Sequence, residues 1–226
     1  MTERIIVALD VASKKEALGL VEQLREQTSF FKVGLQLYTA EGPAFVRELI
    51  ENGAKVFLDL KLHDIPNTVA RAVEAANSLG VHMLTIHLSG GSQMVRAAAT
   101  ASGHGMTLLG VTMLTSLNQH SLGEIGINDR IDNQVARLAR LGVAAGVNGL
   151  VASPRETRAL RELFPHNISI VTPGVRPEWS DIGDQQRTMT PRGAVQAGAD
   201  YLVIGRPITA AKNPREALTR IVAELC

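Results

Sequence analysis

Cysteine is nearly absent from this sequence, since the only one is Cys226. A single cysteine excludes an intrachain disulfide and a cysteine-based metal site, and it fits a reducing compartment. Long hydrophobic runs are also lacking near the start, where the apolar residues 5–9 are stopped by Asp10. That run is too short for a secretion signal or a membrane span. We therefore expect a cytoplasmic protein without a membrane partner.

An excess of charge of one sign is lacking as well, because 23 Lys and Arg residues oppose 22 Asp and Glu residues. Basic residues are not clustered with aromatic ones, as they would be on a nucleic-acid-binding surface. There is also no His-x-x-x-His pair or carboxylate cluster with the spacing of metal ligands. These absences argue against nucleic acid and metal, and they favour a small-molecule ligand.

Eight short apolar segments recur along the chain and predict eight β-strands. They read RIIVALD, FFKVGL, KVFLDLKL, HMLTIHL, MTLLGVTML, GLVAS, ISIVTPG and YLVIGR. Helical spacing predicts helices over residues 13–27, 43–52, 67–79, 92–101, 133–141, 154–164, 190–197 and 214–225. This alternation of strands and helices indicates a parallel sheet. Eight such units, with no Gly-rich dinucleotide-binding turn after the first strand, favour a sheet closed into a barrel over an open doubly wound sheet. The sequence predicts a single-domain (β/α)8 TIM barrel over residues 1–226.

Several residues mark the predicted helix ends. Ser13 and Ser92 suit N-caps, and Pro154 and Pro214 suit first helical turns. The glycines expected just past helix ends are Gly53, Gly80, Gly142 and Gly198.

Charged residues stand at the ends of the first three predicted strands. In KVFLDLKL the two-residue strand period places Asp59 and Lys61 on one face and the leucines on the other. Asp10 closes the first strand and Lys32 lies within the second. Burying even an unpaired polar group costs about 2–7 kcal/mol, so these charges need partners or a function. One interpretation is a structural ion-pair network that fills the mouth of the barrel. The other, which four charges on adjacent strands favour, is a preorganised array of charges for catalysis.

The segments TPGVRP and VIGRPIT each end a strand with glycine and arginine. Glycine allows close backbone approach, and arginine offers two parallel donors to a phosphate. Loops after the seventh and eighth barrel strands often bind phosphate, so Arg206 with the Gly205 amide is the first candidate and Arg176 the second. The alternative is that these arginines cap strand-end carbonyl groups. The long irregular stretches 115–130 and 173–186 follow strands on the same face.

Other polar residues near these segments have a plainer explanation. Asp64 lies just past the third strand, where it is either functional or an N-cap-like loop residue before Pro66. His63, His82 and His87 are expected to be packed or hydrogen-bonded rather than to act as bases or metal ligands.

These motifs together resemble the orotidine 5′-phosphate decarboxylase family over essentially the whole chain. LDLKLHDIPNT, with its D-x-K-x-x-D spacing, occurs with VALD, FKVG, VTMLTS, PGVRP and VIGRPIT in the family's order. The spacing alone is moderately specific, whereas the ordered set is highly specific. The resemblance implies conversion of orotidine 5′-monophosphate to UMP and CO2 in pyrimidine biosynthesis, without metal or organic cofactor.

The resemblance also implies residue roles. Lys61 would protonate carbon 6 of the pyrimidine as CO2 leaves, and Asp59 would lie against the substrate carboxylate. Lys32 and Asp64 would complete the charged network, while Asp10 and Lys32 would hold the ribose. The other implied contacts are Thr115 or Ser116 at the pyrimidine edge, and Arg176, Gln185, Gly205 and Arg206 around the phosphate. Asp64 and Thr68 would reach the neighbouring subunit's site, which implies a homodimer.

Two alternatives stay open at this point. A magnesium-dependent sugar-phosphate decarboxylase or aldolase-like enzyme of the same superfamily shares the D-x-K-x-x-D pattern. Lys32 argues against it, because a cation there repels a metal held by Asp10 and Asp59. A non-catalytic barrel that binds a phosphate ligand is the second alternative, since fold does not dictate function.

Overall fold

The computed structural model describes residues 2–165, 167–180 and 188–225, and its centre is a closed barrel of eight parallel strands. The strands are β1 (Ile5–Ala8), β2 (Phe30–Gly34), β3 (Lys55–Leu62), β4 (Met83–His87), β5 (Thr107–Val111), β6 (Gly149–Val151), β7 (Ser169–Thr172) and β8 (Tyr201–Ile204). Each strand pairs with the next in the chain, and β8 pairs with β1 to close the ring. The predicted (β/α)8 barrel is confirmed.

Helices cover the outside of the barrel, between successive strands and after β8. They are α1 (Lys14–Leu24), α2 (Leu35–Glu51), α3 (Pro66–Ser78), α4 (Gly91–Ser102), α5 (Gln119–Glu124), α6 (Ile131–Ala145), α7 (Pro154–Leu163), α8 (Pro191–Gln196), α9 (Arg206–Thr209) and α10 (Pro214–Glu224). Short 3-10 helices cover Thr2–Arg4 and Leu88–Gly90. None of these described helices is long and apolar enough to cross a membrane.

All eight predicted helices are present, although the sequence underestimates the helix content. The predicted start of α2 is a kink, because Gly42 has a φ of 69° and Pro43 follows it inside the helix. The part of α2 before Gly42 and the short helices α5 and α9 are not predicted. A glycine and a proline together mark a break in a helix as readily as its beginning, and the local sequence does not distinguish the two.

Most of the predicted helix-boundary residues are confirmed. The Ser13 side chain accepts the Glu16 N–H, and Pro154 and Pro214 each lie in a first helical turn. Of the glycines predicted just past helix ends, Gly53, Gly80 and Gly198 have a positive φ at that position. The serine and the two prolines therefore mark helix starts, and the three glycines mark helix ends, close to the predicted positions.

Two boundary predictions are wrong. Ser92 lies inside α4, whose N-cap is Gly90, and so it is not a cap. Gly142 lies inside α6, which continues to Ala145 and ends at Gly146 with a φ of 106°. Gly146 is the helix-ending glycine, because its left-handed backbone is the conformation that this position requires.

Gly142 has a packing role instead, at the contact between α6 and the barrel. A Cβ atom at Gly142 would lie 2.6 Å from Leu88 Cδ2, and one at Gly110 on β5 would also lie 2.6 Å from that atom. Leu88 is fully buried. Two glycines on different elements therefore make room for one leucine side chain.

The lower interior of the barrel is apolar. Its buried members are Ile6, Ala8, Phe30, Phe57, Met83, Leu109, Val171 and Val203. A larger apolar cluster fills the space between the barrel wall and the helices. Because inward positions recur every two residues, Asp10, Lys32 and Asp59 follow members of the inner cluster by two positions and point into the barrel above it. The apolar layer therefore forms a floor beneath the charged residues.

The packing of Leu88 leads to a stability prediction. Gly142→Ala should lower the free energy of unfolding by about 1 kcal/mol, because overpacking of about 1–3 kcal/mol outweighs the gain of about 1 kcal/mol in helix propensity. Gly19→Ala in α1 is the matched control, since a Cβ atom there meets nothing within 4 Å. Gly19→Ala should raise the free energy of unfolding, measured by urea denaturation. Equal stabilisation by both variants would contradict the packing role.

Candidate active site

A cavity of about 430 Å³ opens at the carboxyl ends of the strands. Apolar side chains, including Phe57 and Val203 of the floor, line its lower part. The candidate site residues that line the cavity are Asp10, Lys32, Asp59, Lys61, Thr115, Arg176, Gly205 and Arg206. Barrel closure therefore brings together residues from opposite ends of the sequence.

Four charged residues form an alternating network at the mouth of β1 to β3. Lys32 Nζ lies 2.8 Å from Asp10 Oδ1 and 3.7 Å from Asp59 Oδ2. Lys61 Nζ lies 2.8 Å from Asp59 Oδ1. Lys32 is buried, whereas the Lys61 side chain is 35% exposed and faces the cavity. Lys61 is therefore held by a carboxylate and is still accessible to a ligand.

The strand backbone is irregular at Lys61. Lys61 has a φ of 50°, and it is the one described residue other than glycine with a positive φ. The register between β3 and β4 also shifts between Leu58 and Leu62. Asp59 and Lys61 both point into the barrel, as predicted from a regular two-residue strand period. The strand is not regular at Lys61, however, so the assumption used for that prediction is wrong there. Such a backbone costs about 1–3 kcal/mol, and residues of this kind cluster at functional sites.

Thr85 on β4 is a site residue that the sequence pattern does not single out. Its side chain is fully buried, and its hydroxyl donates to Asp59 Oδ1 at 2.9 Å. The hydroxyl oxygen of Thr85 in turn accepts the backbone N–H of Lys61 at 2.9 Å. The available signal was a threonine two residues after the inward-facing Met83 in an otherwise apolar stretch.

Gly34 at the end of β2 is a second residue of this kind. A Cβ atom there would lie 2.9 Å from Lys32 Nζ and 3.1 Å from Asp10 Oδ1. A larger side chain would therefore push against the ion pair, and glycine at this position leaves room for it.

The charges around Asp59 decide its protonation. Burial by itself raises the pKa of Asp59. The opposing effect is larger: the pKa is lowered by the ammonium groups of Lys32 and Lys61 and by the hydrogen bonds from Lys61 and Thr85. The pKa of Asp59 is therefore below its ordinary value. At neutral pH Asp59 is a buried carboxylate anion between two cations.

Two arginines line the cavity, Arg176 from the loop after β7 and Arg206 from the start of α9. Arg176 is buried, and its backbone N–H donates to the Met189 carbonyl at 2.9 Å. Burial lowers the pKa of Arg176, and the nearby positive charge of Arg206 lowers it too. Arg176 Nη1 also donates a long hydrogen bond of 3.4 Å to the Val175 carbonyl. This contact corresponds to the alternative role of capping a strand-end carbonyl group. An anion between the two guanidinium groups would relieve their repulsion.

Asp64 and Thr68 do not line the cavity. Both are exposed, and Asp64 Oδ1 accepts the N–H of Ile65 at 2.6 Å. Within one chain Asp64 therefore behaves as a loop-ordering residue, which is the plainer of its two explanations. Ile65 beside it is an exposed large apolar residue.

The remaining expected contacts divide by position. Thr115 lines the cavity, whereas Ser116 is exposed and lies outside the lining. Gln185 falls outside the described residues. Of these two hydroxyl residues, Thr115 is therefore the one that faces the cavity.

Each of the three histidines has a ring neighbour, but His63 and His82 are exposed and His87 is only partly buried. The His63 and His87 rings lie 5.6 Å apart, and burial lowers the pKa of His87, as do the charges of His63 and Lys61. His82 packs near Phe30, 6.2 Å between ring centroids, and burial and Lys55 lower its pKa. His87 and His82 are therefore neutral at pH 7.

The low pKa of Asp59 leads to a prediction for acid stability. An aspartate in the unfolded chain titrates near pH 3.9, so the stability that Asp59 contributes is present above that pH and is lost as the pH falls through its folded pKa. The slope of unfolding free energy against pH below about pH 5 should be smaller in Asp59→Asn than in the parent. Urea denaturation at several pH values measures this slope. Asp132→Asn, an exposed control, should keep the parent slope, and an unchanged slope in Asp59→Asn would refute the assignment.

Comparison with known proteins identifies the family. Residues 3–221 match the model of the Orotidine 5'-phosphate decarboxylase / HUMPS family. Orotidine 5'-phosphate decarboxylase of Moorella thermoacetica is 50% identical, over 99% of this chain and 92% of that protein. The enzyme of that name from Actinobacillus succinogenes is 49% identical, over 100% of this chain and 99% of that protein.

Solved structures agree with the sequence relatives. The crystal structure of orotidine 5'-phosphate decarboxylase from Lactobacillus acidophilus superposes with a TM-score of 0.86 at 34% identity, covering 99% of both chains. An uncharacterized conserved protein from Geobacillus kaustophilus gives a TM-score of 0.86 at 35% identity, over 98% of this chain and 100% of that one. On its sequence, its barrel and its cavity, this chain belongs to the Orotidine 5'-phosphate decarboxylase / HUMPS family.

Proposed function

We propose that this chain, as one catalytic domain over residues 1–226, decarboxylates orotidine 5′-monophosphate to UMP and CO2 in pyrimidine biosynthesis. The observation that carries the proposal is the Lys61 ammonium, held 2.8 Å from Asp59 Oδ1 and facing the cavity. The relatives from Moorella thermoacetica and Actinobacillus succinogenes carry this activity in their names. A cytoplasmic location, expected from the lone cysteine, stays a prediction.

The arrangement suits a reaction that places an electron pair on carbon. When the bond between carbon 6 and the substrate carboxylate breaks, CO2 leaves as a neutral molecule and the bonding electrons stay on carbon 6. The Lys61 ammonium stabilises this charge, which develops in the transition state, and gives carbon 6 its proton. Repulsion between Asp59 and the substrate carboxylate ends as neutral CO2 forms.

The rest of the substrate is proposed to bind around this centre. Asp10 and Lys32 would hold the ribose, and Thr115 or Ser116 the pyrimidine edge. The proposed phosphate contacts are Arg176, Gln185, Gly205 and Arg206. Because the phosphate is remote from the reacting carbon, its binding energy would serve to orient the base against Lys61.

We propose that the reaction needs no metal ion or organic cofactor. Lys32 Nζ already lies between Asp10 Oδ1, at 2.8 Å, and Asp59 Oδ2, at 3.7 Å. That is the place where these two carboxylates would hold a divalent cation, and an ammonium group there repels one. This observation favours the cofactor-free decarboxylase over the magnesium-dependent sugar-phosphate enzyme.

Removing the Lys61 ammonium tests the reaction. In excess chelator the parent should convert orotidine 5′-monophosphate to UMP, and Lys61→Ala should lower kcat by at least about 100-fold, because charge stabilisation at the reacting carbon is lost. The loss of substrate absorbance measures the rate, and UMP binding should be largely retained. Lys55→Ala, at the exposed start of the same strand, should keep the parent rate. Activity that needs added magnesium would support the sugar-phosphate alternative instead.

We further propose a homodimer in which Asp64 and Thr68 complete the partner's site. Both residues are exposed and stand apart from the cavity of their own chain. Leu35 and Ile65, 63% and 67% exposed, lie just past the ends of the neighbouring strands β2 and β3. Large exposed apolar side chains beside a site are typical of a surface that another chain covers.

Mixing two defective variants tests whether the site is shared. If Lys61 and Asp64 of one site come from different chains, a heterodimer of Lys61→Ala with Asp64→Asn has one intact site and one doubly defective site. Random exchange of equal amounts should then restore about a quarter of the parent activity. Each variant alone should be impaired. Subunit exchange in the mixture is verified first. If the mixture is then no more active than the two variants' separate activities added together, the site is not shared.

A further inference from the structure

Thr85 connects the two groups on which the proposed reaction depends. Its oxygen lies 2.9 Å from Asp59 Oδ1 and 2.9 Å from the backbone nitrogen of Lys61. A backbone N–H can only donate and a carboxylate can only accept, so the direction of both bonds is fixed. The Thr85 oxygen accepts from Lys61, and its single proton goes to Asp59.

The bond to Lys61 stabilises an unusual piece of backbone. Lys61 has a φ of 50°, and the ladder between β3 and β4 is irregular between Leu58 and Leu62. The Lys61 N–H bonds to a side chain of β4 in place of a backbone carbonyl. A buried N–H without an acceptor is costly, so the Thr85 hydroxyl helps to hold Lys61 in its left-handed conformation.

The bond to Asp59 fixes the carboxylate that holds the Lys61 ammonium. Asp59 Oδ1 accepts both Lys61 Nζ at 2.8 Å and the Thr85 hydroxyl at 2.9 Å, while Oδ2 lies 3.7 Å from Lys32 Nζ. One hydroxyl therefore holds the backbone of Lys61 and the partner of its ammonium group in one arrangement. Neither bond touches the substrate.

Resting on the proposed decarboxylase function, we propose that Thr85 is a positioning residue that aims the Lys61 ammonium at the reacting carbon by binding Asp59 and the Lys61 backbone at once. Reaction rates are sensitive to such alignment, because a misplacement of about 1 Å costs about 100-fold. Loss of the Thr85 hydroxyl should therefore lower kcat without weakening the remote contacts that bind the nucleotide.

The experiment compares Thr85→Val, which keeps the shape and removes the hydroxyl, with Thr85→Ser, which keeps the hydroxyl. Thr85→Val should lower kcat for orotidine 5′-monophosphate by about 10- to 100-fold and change KM by less than about threefold. Thr85→Ser should recover kcat to within about threefold of the parent. Thr85→Ala, which also lacks the hydroxyl, gives the same comparison if the valine variant does not fold.

The pH profile provides a second readout that a purely structural role would not change. The groups around Asp59 are Lys32 on β2, Lys61 on β3, His87 on β4 and, through Lys32, Asp10 after β1. Among the hydrogen bonds that lower the pKa of Asp59 is the one from Thr85. Thr85→Val removes this hydrogen bond, so the pKa of Asp59 should rise and the acidic limb of the kcat/KM profile should move to higher pH. In Thr85→Ser the acidic limb should return to the parent position.

Thr28→Val is the matched control. Thr28 is also buried, and its hydroxyl accepts the Phe30 N–H at 3.2 Å, before β2 and at the opposite end of the barrel. Thr28→Val should lower stability and keep kcat. If the parent is active but Thr85→Val keeps its kcat, or Thr85→Ser does not restore it, the positioning role is overturned. A folded parent that does not decarboxylate the nucleotide overturns the proposed function and the positioning role together.

Discussion

The structure of the site depends on one buried carboxylate between two ammonium groups. Asp59 is stable as an anion because Lys32 and Lys61 flank it, and Lys32 in turn lies between Asp59 and Asp10. Removing Lys32 or Asp59, the two buried members, would leave the buried charge of the other uncompensated, which is more costly than removing both. This mutual dependence explains why the charges tolerate burial above an apolar floor.

Barrel closure is the second constraint, because it joins the two ends of the chain. Strand β8 pairs with β1, so Gly205, which follows β8, lies beside Asp10, the first charged residue of the network. A Cβ atom at Gly205 would lie 3.7 Å from Asp10 Oδ2. Gly205, a proposed phosphate contact, and Asp10 of the charged network are therefore neighbours at one seam of the barrel, although about 200 residues separate them in sequence.

Much of this arrangement is readable from strand periodicity. Alternation of short apolar segments with helical spacing specifies parallel β/α units, and the carboxyl ends of parallel strands share one face of the barrel. Asp10, Lys32 and Asp59 are placed correctly because their strands are regular up to those residues. Lys61 is also placed on the correct face, although the pattern gives no indication of its positive φ.

The sequence by itself determined the barrel, the face on which the charges lie and the residues that form them, since these depend on local period and order. Only the tertiary structure decided that Thr85 joins Asp59 to Lys61, that Gly34 leaves room for an ion pair, and that Gly142 makes room for Leu88 instead of ending a helix. Each of these is a contact between different elements. The physical reason is that the contacts arise from register shifts and close packing across the barrel, which no local pattern of residues encodes.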